Sequence, residues 1–192
     1  MKKRNIVLIG FMGSGKTSIG RKLARALSYE FIDSDNRIEE EQQKKINDIF
    51  AEQGEEAFRR METEFLERLC QKPEPFVLGT GGGMPMREEN AALLKQLGLV
   101  VFLKAGEEEL IKRLQNDTTR PLLAAGDLRN KVETLYAKRL PVYEAAADYR
   151  METDGKTFYE MIKEIEEVCF PERKRRRGRR KNEAAAGERT ES

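Results

Sequence analysis

The chain has 192 residues, 39% hydrophobic and 36% charged, which suits one soluble globular domain with a tail to spare. It contains no His and no Trp, so a His-based triad, an imidazole base and a His-ligated metal are all excluded. The net charge of +2 hides an asymmetry: residues 171–192 hold nine Lys/Arg against four Glu, which leaves the rest of the chain mildly acidic.

The first apolar run, residues 4–9, reads as a strand. It leads into Gly10-Phe11-Met12-Gly13-Ser14-Gly15-Lys16-Thr17, a G-x-x-x-x-G-K-[ST] loop. Glycines there let the backbone wrap closely around phosphate, with successive N–H groups turned inward as an anion nest. A helix predicted over residues 16–27, with Ile19, Leu23, Ala26 and Leu27 on one side, adds the positive end of its dipole. Lys16 is placed to reach the β- and γ-phosphates of a nucleotide, and the Thr17 hydroxyl to coordinate Mg2+, which favours oxygen ligands.

A short strand over residues 29–32 ends in Asp33-Ser34-Asp35. Alternation along an extended chain predicts both carboxylates on the same side, at a strand carboxyl end, where ligands of parallel sheets collect. One can hold Mg2+ or its waters while the other orients a substrate hydroxyl for attack. A structural role at a helix N-cap is the alternative for such a pair.

Residues 46–70 form a long amphipathic pattern, with Ile49, Phe50, Ala57, Met61, Phe65 and Leu69 near one face. Gly54 is expected to break it into two helices. A third strand over residues 76–78 runs into Gly79-Thr80-Gly81-Gly82-Gly83, and three successive glycines predict close backbone approach to a ligand. A helix over 88–97, a fourth strand over 99–103 and a helix over 107–114 follow. Residues 116–129 lack a core pattern and carry Arg120-Pro121 and Gly126. They read as a mobile loop over a site, with Arg120 available to developing charge as the loop closes. A helix over 131–146 contains Pro141, which should kink or split it. Residues 149–152 suggest a fifth strand, and 157–168 a last helix.

Strands alternating with helices predict a parallel sheet covered on both faces, a three-layer α/β/α architecture. The two cysteines, Cys70 and Cys169, lack metal-type spacing and read as reduced thiols. No signal peptide and no membrane-spanning run are visible, so the cytoplasm is the expected location. Residues 171–192 cannot form a core and read as a disordered tail. Eight of the nine residues in 173–181 are basic, enough for electrostatic contact with nucleic-acid phosphates. No aromatic is interleaved to stack on bases, so a solvated tail is the preferred reading.

Taken together, Gly10 to Thr17, Asp33-Ser34-Asp35, Gly54 to Arg59 with Glu62, Gly79 to Gly83, Arg120-Pro121-Leu122-Leu123, and Arg139 with Tyr143 resemble the shikimate kinase family in order and spacing. The resemblance spans residues 4 to about 168 and excludes the basic tail. It implies a P-loop NTPase fold with a central five-stranded parallel sheet, a helical substrate-binding insertion at about 33–62 and a mobile lid at about 113–127, all within a domain of residues 1–170. It implies transfer of the ATP γ-phosphate to the 3-hydroxyl of shikimate, giving shikimate 3-phosphate on the route to chorismate.

By the family pattern, Gly13, Ser14, Gly15, Lys16, Thr17 and Ser18 would bind ATP, with Arg113 flanking the adenine and Lys156 near it. Arg120 would reach the phosphates from the lid. Asp35 would bind the shikimate hydroxyls, Arg59 and Arg139 would grip its carboxylate, and the backbone around Gly81, Gly82 and Gly83 would close the pocket. Thr17 would ligate Mg2+, with Asp33 acting through water, and Lys16, Asp35 and Arg120 would carry the catalysis. A monomer is expected. Two alternatives stay open on the residues alone: a kinase of the same architecture acting on gluconate or a nucleotide, and a non-catalytic nucleotide-binding module associated with RNA through its tail. Whether Asp35 removes a proton or only positions the hydroxyl is also open, because a loose transition state needs little base catalysis.

Overall fold

Strands covered on both faces read as near-continuous apolar runs, and residues 6–9, 76–78 and 99–103 are such runs. In a computed structural model that describes residues 4–115 and 128–171, these segments are the centre of one five-stranded parallel sheet. Its strands are β1 (Asn5–Ile9), β2 (Glu30–Asp33), β3 (Phe76–Gly79), β4 (Gly98–Lys104) and β5 (Tyr149–Glu152), in the order β2-β3-β1-β4-β5. The side chains of β1, β3 and β4 alternate between two separate cores. Val7, Ile9, Phe76, Leu78, Val100 and Phe102 point into one. Ile6, Leu8, Val77, Leu99, Val101 and Leu103 point into the other.

The first core is roofed by α3 (Ile46–Leu69), α4 (Glu88–Leu97), α5 (Glu107–Leu114) and α6 (Leu128–Ala146), through residues such as Phe65, Leu94, Leu110 and Tyr143. The second is covered by α1 (Lys16–Leu27) and α7 (Phe158–Cys169), through Ile19, Leu23, Met161 and Ile165. α7 opens on a capping box, in which Thr157 and Glu160 satisfy each other's backbone N–H groups. No helix among the described residues is long and apolar enough to cross a membrane.

Three local features bear on the sequence reading. Residues Ser34–Gln42 form a helix, α2, which periodicity did not reveal because Ile38 is its one buried apolar residue. α6 is continuous through Pro141 and begins at Leu128. The buried anchors Val132 and Tyr136 before the proline, and Tyr143 and Ala146 after it, hold both halves against the core and offset the lost hydrogen bond. In α3 the break at Gly54 is present, with φ 82 and ψ 167. It rotates the buried stripe of the second half, so that Phe58, Glu62 and Leu66 are buried while Met61 is only partly so.

The register of the sheet positions the site. Leu8 of β1 pairs with Gly79 of β3, which pairs with Asp33 of β2. Three strands therefore end side by side, and the segments that follow them leave the sheet at one edge. The connection leaving β1 runs through α1 on one face and that leaving its neighbour β3 runs through α4 on the other, so the crevice between their carboxyl ends is the place at which open parallel sheets bind ligands.

Candidate active site

The loop after β1 has a backbone that few residues other than glycine adopt: φ is 79 at Gly13 and 93 at Gly15. Gly15 is the N-cap of α1 and supplies no side-chain cap, which leaves the first N–H groups of that helix to an anion. The Lys16 ammonium donates to the carbonyls of Gly10 (2.9 Å) and Phe11 (2.8 Å) and so spans the loop. Ser14 Oγ is buried and finds no hydrogen-bond partner among the described residues. The cleft above this loop, about 870 Å3, is lined by Gly13 through Ser18, by Asp33 and Asp35, and by Arg113 and Lys156.

Asp33 and Asp35 both reach the cleft, but not by strand alternation. The strand stops at Asp33, which caps α2: its Oδ1 accepts the Asn36 N–H at 3.4 Å. Its Oδ2 accepts the Thr17 hydroxyl at 3.0 Å, joining the second strand end to the phosphate loop. Asp35 stands in the first turn of α2, where Ser34 Oγ donates to its Oδ1 at 3.3 Å. A helix start thus achieves what an extended strand was expected to do, and capping α2 leaves Asp33 lining the cleft.

A second cleft of about 740 Å3 adjoins the first and contains Asp35, Arg59, Gly81, Gly82, Gly83 and Arg139. Asp35, Asn36 and Gly82 line both clefts and mark their junction. Two of the three glycines have a specific packing reason. A Cβ on Gly81 would lie 2.3 Å from Asp35 Oδ1; one on Gly83 would lie 2.6 Å from Arg59 Nη2; one on Gly82 would lie 3.5 Å from Arg139 Nη1. The glycines were expected to admit a ligand; Gly81 and Gly83 first admit Asp35 and Arg59, while the distance at Gly82 is ordinary contact.

Arg59 is held on three sides. Its Nη1 donates to Glu62 Oε2 at 2.8 Å, its Nη2 to Glu55 Oε1 at 2.7 Å, and its guanidinium lies 5.6 Å from the Phe58 ring centre. Burial works against the charge, but the two carboxylates outweigh it and hold Arg59 above its ordinary pKa. Glu62 is fully buried, and burial pushes its carboxyl up to about 7, with Arg59 pulling down and Asp35 adding to the rise. Its Oε1 has no partner among the described residues. Arg139 lies 6.0 Å from the Phe11 ring centre, and its neighbour Tyr143 donates to the Gly82 carbonyl at 2.6 Å. Burial pushes the Tyr143 hydroxyl up to about 12 despite the opposing pull of Arg139, so it remains a donor.

At the far end of the first cleft, Arg113 donates to the Gly13 carbonyl (3.0 Å) and to Glu109 (2.9 Å), and Lys156 donates to Glu164 (2.5 Å). Phe158 also lines this end, half exposed, as does Thr157. Arg120, with residues 116–127 of the expected lid, lies outside the described residues, as does the basic tail from 172 onward. Sequence reasoning assigned no role to Asn36, Phe58, Glu62 or Phe158. The Glu62 signal was its place three residues beyond Arg59 on one helix face.

Comparison with known proteins bears on this arrangement. The family model for shikimate kinase matches residues 12–170. A shikimate kinase of Dictyoglomus turgidum is 43% identical over 166 residues, covering 85% of this chain and 95% of that protein. One from Persephonella marina is 42% identical over 162 residues, covering 84% of this chain and 96% of that protein. Among solved structures, shikimate kinase from Acinetobacter baumannii in complex with shikimate superposes with a TM-score of 0.82 at 37% identity, covering 89% of this chain and 95% of that one.

Proposed function

The chain belongs to the shikimate kinase family, and from that premise we propose how its two clefts transfer a phosphoryl group from ATP to the 3-hydroxyl of shikimate. The activity is that of an ATP-dependent kinase acting on shikimate. The observation that carries the division of labour is the junction: Asp35, Asn36 and Gly82 belong to both clefts at once.

ATP occupies the first cleft. Its phosphates lie against the N–H groups of residues 13–18 and the Lys16 ammonium, which leaves the Gly10 and Phe11 carbonyls for the transferring group. Arg113 and Lys156 flank the adenine end, and Arg120 approaches from the lid. Thr17 and Asp33 suit Mg2+: the pair is oxygen-only, 3.0 Å apart, and lies beside the phosphate loop. No cluster of three metal-ligating side chains exists among the described residues. This fits an ion that keeps its waters and binds through one or two protein oxygens plus phosphate. When bound, Mg2+ neutralises charge developing on the phosphate oxygens.

Shikimate occupies the second cleft. Arg59 and Arg139 hold its carboxylate, Arg59 aimed by Glu62 and Glu55. Asp35 accepts a hydrogen bond from the acceptor hydroxyl and turns its oxygen toward the γ-phosphate, which positioning alone makes productive. Arg59 and Arg139, both lining this cleft, suit an acceptor that carries a carboxylate. The protein acts as a monomer in the cytoplasm within this proposal; both cysteines are free thiols, as a reducing compartment keeps them. Phosphorus NMR of a reaction with ATP and shikimate tests the reading: one new monoester coupled to the proton on C3 is expected, and coupling to C4 or C5 contradicts it.

A further inference from the structure

Besides Arg139 and the glycines, the acceptor cleft draws on three pieces of the α2–α3 segment, and their relative placement needs a fastening. Asp35 sits on α2; Ile46 and Phe50 sit on the first half of α3; Arg59 sits beyond the Gly54 break. Gly54 contributes no side chain at the break, and the two halves of α3 meet instead through the edge-to-face pair of Phe50 and Phe58, with ring centres 5.0 Å apart. The first half of α3, residues 46–53, is seated on the core by Ile46, Ile49 and Phe50, and its N-terminal end is fastened separately.

That end is unusual. The N-cap of α3 is Lys45, whose side chain makes no cap hydrogen bond and cannot accept one. Glu39, in the last turn of α2, takes over. Its Oε1 accepts the Ile46 N–H at 3.0 Å and its Oε2 accepts the Lys45 ammonium at 2.7 Å. The carbonyl of the same residue accepts N–H groups from Gln43 and Lys44, closing α2. A carboxylate in the last turn of a helix ordinarily opposes that helix's dipole, and no basic residue offsets it in this turn. Placed at the N-terminus of the next helix, the same charge is favourable. Asp35 and Glu39 are four residues apart on one face of α2, so the group that faces the substrate and the group that holds α3 share a rigid rod.

We infer that Glu39 is a positioning residue for the acceptor cleft: by capping α3 in place of Lys45, it fixes residues 46–53 against the α2 helix that carries Asp35. The inference deepens the functional reading above and rests on it. Glu39 and Lys45 also line the acceptor cleft, and Glu39 acts on the reaction through the placement of α3. Its effect is to keep the binding-competent arrangement dominant, so losing it lowers apparent shikimate affinity without altering the bound, reactive geometry. Burial alone would raise the Glu39 pKa, but Lys45 and the Ile46 N–H hold it below the ordinary value, so the clamp is charged at neutral pH.

The test compares wild type, Glu39→Ala, Glu39→Gln and the double variant Glu39→Ala/Lys45→Ser. Steady-state kinetics are combined with amide hydrogen exchange. In Glu39→Ala the KM for shikimate is expected to rise roughly fivefold to tenfold, the effect of losing about one helix cap. Its kcat and its KM for ATP are expected to stay within about twofold of wild type, because the capped segment lies away from the nucleotide. Glu39→Gln keeps an acceptor for the Ile46 N–H and is expected to fall between the two. Lys45→Ser supplies a conventional cap and is expected to restore the KM of Glu39→Ala to within about twofold of wild type. Exchange should quicken at residues 46–53 of Glu39→Ala and stay unchanged at residues 16–20. An unchanged shikimate KM in Glu39→Ala overturns the inference, and so does a common fall of kcat and both affinities that tracks a lowered Tm. If wild type shows no shikimate-dependent turnover, the functional reading falls, and the exchange pattern alone decides the clamp: equal exchange in wild type and Glu39→Ala overturns it.

Discussion

Lys16 spans its own loop through two carbonyls, and a phosphate entering the cleft can draw the ammonium away from both. Lys16→Ala removes the positive clamp from the transferring group, and a loss of roughly 100-fold in kcat is expected. Unchanged turnover contradicts the assignment. Gly81 is the more discriminating position. A methyl group there would collide with Asp35 at 2.3 Å and push the carboxylate off the junction. Gly81→Ala should raise the KM for shikimate about tenfold while the KM for ATP holds, and equal changes in both would count against the division into two clefts.

Glu62 makes a prediction about pH. Its ordinary carboxyl pKa of 4.5 rises to about 7 in the fold, chiefly through burial. A carboxyl raised in this way stabilises the fold while protonated; the contribution is complete below about pH 4.5 and disappears as the pH rises through about 7. Glu62→Gln stays neutral throughout, so it should gain about 3 kcal/mol relative to wild type between pH 4.5 and pH 8. Urea unfolding at the two pH values measures this, and parallel pH slopes for the two proteins contradict it. At this scale the phosphate loop was legible because its chemistry is local. Glu62 was not, because a charge three residues from an arginine looks the same on a solvated helix face as in a core.

Helices read best where their apolar stripes were strong. α1, α4 and α5 begin and end where periodicity placed them. α2 escaped because a helix with one buried apolar residue has no stripe; capping by Asp33 and contact with α3 sustain it instead. The stripe of α3 was read as continuous, although Gly54 was marked as a break, and the rotation there decides that Phe58 and Glu62 go inward. α2 also ends with Gln43 at φ 54, a left-handed conformation that costs a side-chain-bearing residue roughly 1–2 kcal/mol. Gln43→Gly relieves that strain and loses part of the gain to the greater freedom of the unfolded chain, so a net stabilisation of about 0.5–1 kcal/mol is expected. A lowered urea midpoint would show that the Gln43 side chain, which donates to the Glu40 carbonyl at 2.7 Å, is worth more than the strain.

For the whole molecule, five strands in a parallel sheet followed from apolar runs alternating with amphipathic ones, because each buried strand must be apolar throughout. The pairing order and the in-register strand ends at Leu8, Gly79 and Asp33 were not legible, since they depend on which helices cross which face. The two-cleft layout was legible only through a family resemblance; no spacing rule brings Arg59 and Arg139, 80 residues apart, beside adjacent glycines. Phe170 is the last core residue among the described residues, and removing residues 172–192 is expected to leave kcat and both KM values unchanged within about twofold. The most direct test of the central claim, a phosphate cradle coupled to a cleft for a small carboxylated polyol, is ADP release in a coupled assay. The acceptors are shikimate, gluconate and AMP, each at saturating concentration with ATP and Mg2+. Shikimate alone is predicted to drive turnover above background; background rates with shikimate, or stimulation by gluconate or AMP instead, would contradict it.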